Sequence, residues 1–284
     1  MTLLFQPRTF DRRTPEQIRD HYDIERELAA RLRRASKGER RELYASLYDE
    51  LFRRVPHHSQ LTRKSSPEER ARAAARQMRF LRRFLRRDAA FLEIGPGDCA
   101  LTFRAADSCR MVYAVEVSEE ITRNLAFPRN VRLLLSDGTS IPVPDASVAV
   151  AYSNQLMEHL HPDDAVEQLR NICRALAPGG IYVCITPNRI NGPHDVSRHF
   201  DAVAQGFHLK EYSVEELDDL FRMVGFSKTR VYVGAKGWFI GLPTRPVKLC
   251  ERILGRLPDR WRRAIALSLP MKAVLGVRMA ATKP

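Results

Sequence analysis

Nowhere in these 284 residues does an apolar run approach the ~20 residues that cross a bilayer, so no membrane span is expected. The start of the chain lacks a long apolar core behind basic residues, which argues against a secretory signal. Asp11, Glu16 and Asp20 argue against an organelle transit peptide. Cysteine is sparse: Cys99, Cys109, Cys173, Cys184 and Cys250 make an odd count of five without a Cys-x-x-Cys pair. That excludes a zinc ribbon and a disulfide framework, and predicts reduced thiols in a cytoplasmic protein. With 44% hydrophobic and 29% charged residues the chain is globular rather than disordered. Its length suits one large domain, or one domain with appendages.

Acidic charge is what the two ends lack. Residues 1–90 hold 23 Lys/Arg against 13 Asp/Glu, and residues 228–284 hold 13 against 2. Residues 91–227 reverse the balance, with 11 basic and 19 acidic groups, and the whole carries +13. Two basic flanks around an acidic centre favour anionic partners, namely a membrane surface, nucleic acid or a phosphorylated substrate. Solvated arginine-rich helix faces are the plainer account of the same numbers.

Residues 1–87 form a helical extension in which three starts can be placed. Thr14 to Gln17, Ser36 to Glu39 and Ser66 to Glu69 each match the capping-box pattern, two of them with Pro at the first helical position. Leu43, Leu47 and Leu51, flanked by Tyr44, Tyr48 and Phe52, recur at helical spacing, and so do Ala71, Ala74, Met78, Leu81 and Leu85. These stripes are expected to pack on the main domain. A sharper role for Tyr44 or Tyr48 is to close a ligand pocket.

Strands expected at 90–94, 111–117, 131–135, 147–152 and 181–186 alternate with helices near 99–106, 118–125 and 163–176. Val/Ile/Leu-rich runs separated by helices predict a parallel sheet covered on both faces, whose ligands lie beyond the strands' C-terminal ends. Polar residues gather at those ends. F-L-E-I-G-P-G (Phe91 to Gly97) turns through two glycines before a helix, so backbone N–H groups can face a ligand. Glu116 follows at the spacing suited to a ribose diol. Asp137 and Gly138 end the third strand, where a carboxylate can meet an adenine amino group, and Ser153, Asn154 and Gln155 end the fourth.

At this point residues 88–235 resemble the class I S-adenosylmethionine-dependent methyltransferases. The matching text is F-L-E-I-G-P-G-D, Y-A-V-E-V-S, S-D-G-T-S-I-P-V-P-D, then S-N-Q-L-M-E-H-L and L-A-P-G-G-I-Y-V-C-I-T-P-N. The resemblance implies a doubly wound, mostly parallel, seven-stranded Rossmann-like α/β sheet with S-adenosyl-L-methionine as cofactor. It implies that Glu93, Gly95 and Gly97 line the methionine part. Glu116 with Val117 would hold the ribose, Asp137 with Gly138 the adenine end, and Asn154 would border the sulfonium. One departure is that Cys99 and Ala100 stand where the family's third glycine often lies. The helix starting at Ser213 and ending at Gly225, a strand near 226–235 and a last strand within 274–284 complete the pattern. The α/β domain is thus expected over 88–237 and 274–284, interrupted by a basic amphipathic helical insertion at 238–273. That insertion, with Trp238 and Trp261 among arginines, suits peripheral membrane contact, a cleft cap or a dimer contact.

Methyl transfer needs alignment of donor and acceptor, and a hydroxyl acceptor benefits from a base. After strand five, His194, Asp195, His199 and Asp201 fall within eight residues, so His194 and His199 are the catalytic candidates, oriented by a His–Asp pair. Their spacing does not define a metal-ligand set, and no metal is expected. His159 and His208 are expected to serve structural or cofactor-adjacent roles. The expected activity is O-methylation of a small molecule, sugar or lipid-linked glycan. Nucleic-acid (RNA) methylation is the alternative suggested by the flanks, although strand four lacks the Asn/Asp-Pro-Pro-aromatic motif of base amino-methyltransferases. A non-catalytic cofactor-binding scaffold is the other alternative, and it does not need Glu93, Glu116 and Asp137 together.

Overall fold

The computed structural model describes residues 13–62, 66–118, 125–235 and 237–284. Helices α1 (Pro15–Arg34) and α2 (Lys37–Arg54) form an antiparallel pair, followed by the single turn α3 (Ser59–Thr62) and by α4 (Pro67–Leu81). Thr14, Ser36 and Ser66 cap α1, α2 and α4 in reciprocal capping boxes, each satisfying orphan amides at both ends of the box.

The sheet region follows as β1 (Ala90–Ile94), α5 (Ala100–Ala106), β2 (Met111–Glu116), β3 (Val131–Leu135), β4 (Val148–Asn154), α6 (Pro162–Ala175) and β5 (Leu176–Thr186). The helix expected near 118–125 falls mostly outside the described residues. Next come α7 (Val214–Met223), under a capping box at Ser213, and β6 (Lys228–Ala235). The remainder is β7 (Trp238–Pro243), α8 (Thr244–Gly255), α9 (Asp259–Ala266), α10 (Leu269–Leu275) and β8 (Val277–Thr282).

The strand order is β3-β2-β1-β4-β5-β8-β6-β7, eight strands where seven were expected. The added one is β7, which opens the segment expected to be helical and pairs antiparallel with β6 from Ala235↔Trp238 to Arg230↔Pro243. Its pattern has period two rather than 3.6: Trp238 and Ile240 face outward, while Phe239 packs on Phe80 at 5.0 Å between ring centroids. Helices α8, α9 and α10 supply the helical remainder.

Successive residues of β1 point to opposite faces. Phe91 joins a core with Met78 and Leu81 of α4 and Leu101 of α5, so α4 is one layer of the sheet domain. Leu92 joins the other, with Leu169 of α6, Phe221 of α7 and Val247 of α8. The pair α1–α2 has its own core of Leu28, Leu32, Leu47 and Leu51, closed by Phe207. Buried Arg40 anchors it to Asp164 at the start of α6 through two contacts of 2.6 Å. It therefore sits over the C-terminal rim of the sheet.

Candidate active site

Register brings the polar strand ends onto that one rim. Ile94 pairs with both Val115 and Ser153, Glu116 with Leu135, and Asn154 with Ile185. The sheet order reverses between β1 and β4, which is the switch point where ligands of doubly wound sheets lie. Gly95, Gly97 and Cys99 all have positive φ (69°, 54° and 57°), so the backbone curls ahead of α5 with no Cβ at the first two positions. Cys99 occupies the left-handed conformation that a glycine would adopt more easily, at the point where the third glycine is missing.

Glu116 ties the turn together: Val117 N donates to Oε1 at 2.8 Å and Gly97 N to Oε2 at 3.3 Å. Burial pushes its carboxyl up from the ordinary value, against the pull of these amides. Glu93 is buried beneath the turn and accepts the Thr102 hydroxyl at 2.6 Å. Asp137 lies at the far end, where Thr139 N and Ser140 N donate to Oδ1 at 3.0 and 2.8 Å. Burial opposes its ionisation, but these backbone donors and the neighbouring hydroxyls prevail and hold it down to about 2.

Helix α2 roofs the turn at Asp137 and Gly138. Arg41 Nε lies 2.9 Å from Asp137 Oδ2, so both carboxylate oxygens already have protein partners. The Tyr44 ring rests on Gly138, where a Cβ would come within 2.7 Å of Cδ2. Tyr44 itself donates to Asp164 Oδ2 at 2.7 Å and accepts His161 N at 2.9 Å. The tyrosine stripe signalled a helix but not which side chain the rim would meet; Arg41 had no signal at all.

The other side of the rim is built from the turn after β4 and the segment after β5. Leu156 packs on Gly95, and the next two residues lead to Glu158, fully buried, whose Oε2 accepts the Thr186 hydroxyl at 2.8 Å. His194 does not pair with either neighbouring aspartate. Its Nδ1 lies 3.1 Å from Glu211 Oε2, and its own N–H donates to Oε1 at 2.7 Å. Asp195 instead caps Ser197 N at 3.0 Å and accepts Gly206 N at 3.0 Å, while Asp201 accepts the Tyr22 hydroxyl at 2.5 Å. His208 also bonds Glu211, at 2.7 Å. Burial works against the Glu211 charge, but the two imidazoles and the backbone amide hold its carboxyl down to about 2. His199 sits elsewhere on the segment, beside Arg198 and edge-on to Phe200 at 6.2 Å between ring centroids; Phe200 packs against Tyr22 of α1.

His159 bridges the layers, its Nδ1 lying 3.0 Å from both Tyr48 Oη and Phe207 O. Among the described residues, two groups bring a set of nitrogen and oxygen ligand atoms within 4.8 Å of one another: His21, Glu25 and His58, and Glu158, His159 and His208. Glu158 and Glu211 were missed in the sequence; the only signal was the adjacency of Glu158 to His159.

Comparison with known proteins agrees with this geometry. Residues 92–184 match the family model described as a methyltransferase domain. A protein of Mycolicibacterium smegmatis named as an S-adenosylmethionine-dependent methyltransferase is 32% identical over 137 residues, covering 48% of this chain and 51% of the relative. A similarly named protein of Mycobacterium tuberculosis is 32% identical over 48% of this chain and 47% of its own length. Among solved structures, Haemonchus contortus phosphoethanolamine N-methyltransferase 1, with phosphoethanolamine and S-adenosylhomocysteine, superposes with TM-score 0.54 at 14% identity, over 88% of this chain and 50% of that one. A chain from the complex of the Haloferax volcanii Trm112 methyltransferase activator with a methyltransferase gives 0.52 at 17% identity, over 76% and 91%. At such identities the likeness is one of fold.

The sheet order, the glycine turn with its carboxylates and these matches define the central unit as a class I S-adenosylmethionine-dependent methyltransferase domain. S-Adenosyl-L-methionine is its cofactor. The chain spans about half the length of the curated relatives it matches.

Proposed function

We propose that this chain transfers a methyl group from S-adenosylmethionine to an oxygen of a small molecule, a sugar or a lipid-linked glycan. The observation that carries this reading is the Glu211–His194 pair on the segment after β5. A carboxylate fixed on Nδ1 leaves Nε2 as the lone pair, and the His194 side chain is 34% exposed, able to meet an acceptor. Substitution at the methyl carbon asks the protein mainly to align the two reactants. The turn of Gly95 and Gly97, with Glu93 below it, supports the methionine end; Glu116 and Val117 support the ribose, and Asp137 and Gly138 the adenine. Asn154, at the end of β4, borders the sulfonium. In this reading His194 takes the acceptor proton as the oxygen attacks, the oxygen pair forms the C–O bond, and the S–CH3 pair returns to sulfur. His199, packed towards α1, serves as a positioning residue for the segment.

Two measurements test this. Calorimetry with S-adenosylhomocysteine should give one site per chain, and Glu116→Ala should weaken it by ~10-fold or more, the loss of hydrogen bonds to a charged group. Absence of heat with the wild-type chain would overturn the donor reading. Incubation with labelled donor and fractionated cell extract should then label small-molecule or lipid fractions, with His194→Gln slowing the transfer. Label confined to RNA would place the acceptor in nucleic acid instead.

A further inference from the structure

We propose that Glu158, His159 and His208 bind one divalent transition-metal ion at the acceptor end of the cleft. Each residue offers one ligand atom, and the three lie within 4.8 Å of one another. The hydrogen-bond partners show which atoms are available to an ion. Glu158 Oε1 is buried without a hydrogen-bond partner, its other oxygen being occupied by Thr186. His159 Nδ1 faces the Phe207 carbonyl, which can only accept, so the ring hydrogen is on Nδ1 and Nε2 is a bare lone pair, 4.0 Å from Glu158 Oε1. His208 turns its Nδ1 to the Glu211 carboxylate, which leaves Nε2 as the nitrogen available to a metal. Three ligand atoms therefore converge around one buried, unpartnered carboxylate oxygen, an arrangement that a cation would satisfy.

The outer contacts fit the same reading. Metal-binding imidazoles regularly give their second nitrogen to a carboxylate or a backbone carbonyl, and here one does each. The other convergent group does not share this pattern. In it the Arg13 guanidinium, a donor only, lies 2.7 Å from His21 Nδ1. There the outer His21 nitrogen faces a cation instead of a carboxylate or carbonyl, although its Nε2 lies 2.6 Å from Glu25 Oε2.

Two imidazoles and one carboxylate suit Zn2+, Co2+ or Fe2+ better than Mg2+ or Ca2+, and three protein ligands leave a position open. Resting on the oxygen-acceptor reading, the ion would polarise the acceptor hydroxyl so that His194, on the same Glu211, removes its proton more readily.

The full chain, stripped with a chelator, is dialysed against Co2+, Zn2+ and Mg2+, and metal per chain and the visible Co2+ spectrum are recorded. One Co2+ per chain is expected, displaced by Zn2+ and not by Mg2+. Glu158→Gln and His208→Ala should abolish stoichiometric retention, Glu211→Gln should weaken it by ~10- to 100-fold, and His21→Ala should leave it unchanged. No Co2+ uptake by the wild-type chain would overturn the proposal, whether or not the variants fold. So would uptake unaltered in a folded Glu158→Gln or His208→Ala chain. S-Adenosylhomocysteine calorimetry on the same preparation separates the two readings. Heat without cobalt removes the metal site alone, and cobalt without heat removes methyl transfer alone.

Discussion

Glu93 illustrates how burial sets the protonation of a single residue. It is 5% exposed, and burial pushes its carboxyl up to about 8, with the nearby Asp98 and Glu116 charges adding to the effect against the Thr102 hydroxyl bond. Its carboxyl therefore holds a proton near neutral pH. The folded state thus keeps a proton that the unfolded chain releases near 4.5. Its contribution is fully present below that value and is lost as pH rises towards about 8. Urea unfolding should therefore give a stability that falls between these pH values, and Glu93→Gln should flatten the fall. Identical pH slopes in variant and wild type would contradict it. The motif made this residue legible as part of the site; its protonation state depended on the layer above it.

At the scale of elements, the α1–α2 pair changes the meaning of the rim. Its helices were legible because capping boxes are local and their bonds span three residues. Its position was not, since the Arg40–Asp164 and Tyr44–Asp164 bonds join residues more than 100 positions apart. Tyr44→Phe should destabilise the chain by ~1–3 kcal/mol, because it leaves Asp164 and the His161 amide short of a partner in a half-buried site. Denaturant midpoints at constant m-value measure this, and an unchanged midpoint would mean that α2 is held by its apolar stripe alone. β7 is the converse case. Its alternation was present in the text, but the basic residues of α8 and α9 beside it made the whole segment look helical.

Over the whole molecule, the basic C-terminal segment presents Trp238, Ile240, Leu249, Ile253, Trp261 and Leu269 to solvent amid arginines. Among the described residues no helix is long and apolar enough to cross a membrane. We propose that this segment meets an anionic lipid surface, which would bring a lipid-linked acceptor to the cleft. The chain should co-sediment with phosphatidylglycerol-containing vesicles, less so at high salt, with a blue shift in tryptophan emission. Trp238→Ser with Trp261→Ser should abolish the shift and reduce binding several-fold. Equal binding to neutral vesicles, or none to anionic ones, would count against it.

The sequence by itself determined what is local or periodic: the parallel strands, the helix starts, the glycine turn and the order of carboxylates along the rim. Alternation, capping and turn chemistry act over a few residues, so they can be read without knowing the fold. Tertiary structure decided which carboxylate orients His194, that Tyr44 lies on Gly138, and that Glu158, His159 and His208 converge. Those contacts join residues brought together only when β4, the segment after β5 and α2 meet at one rim, and no spacing in the chain records that meeting.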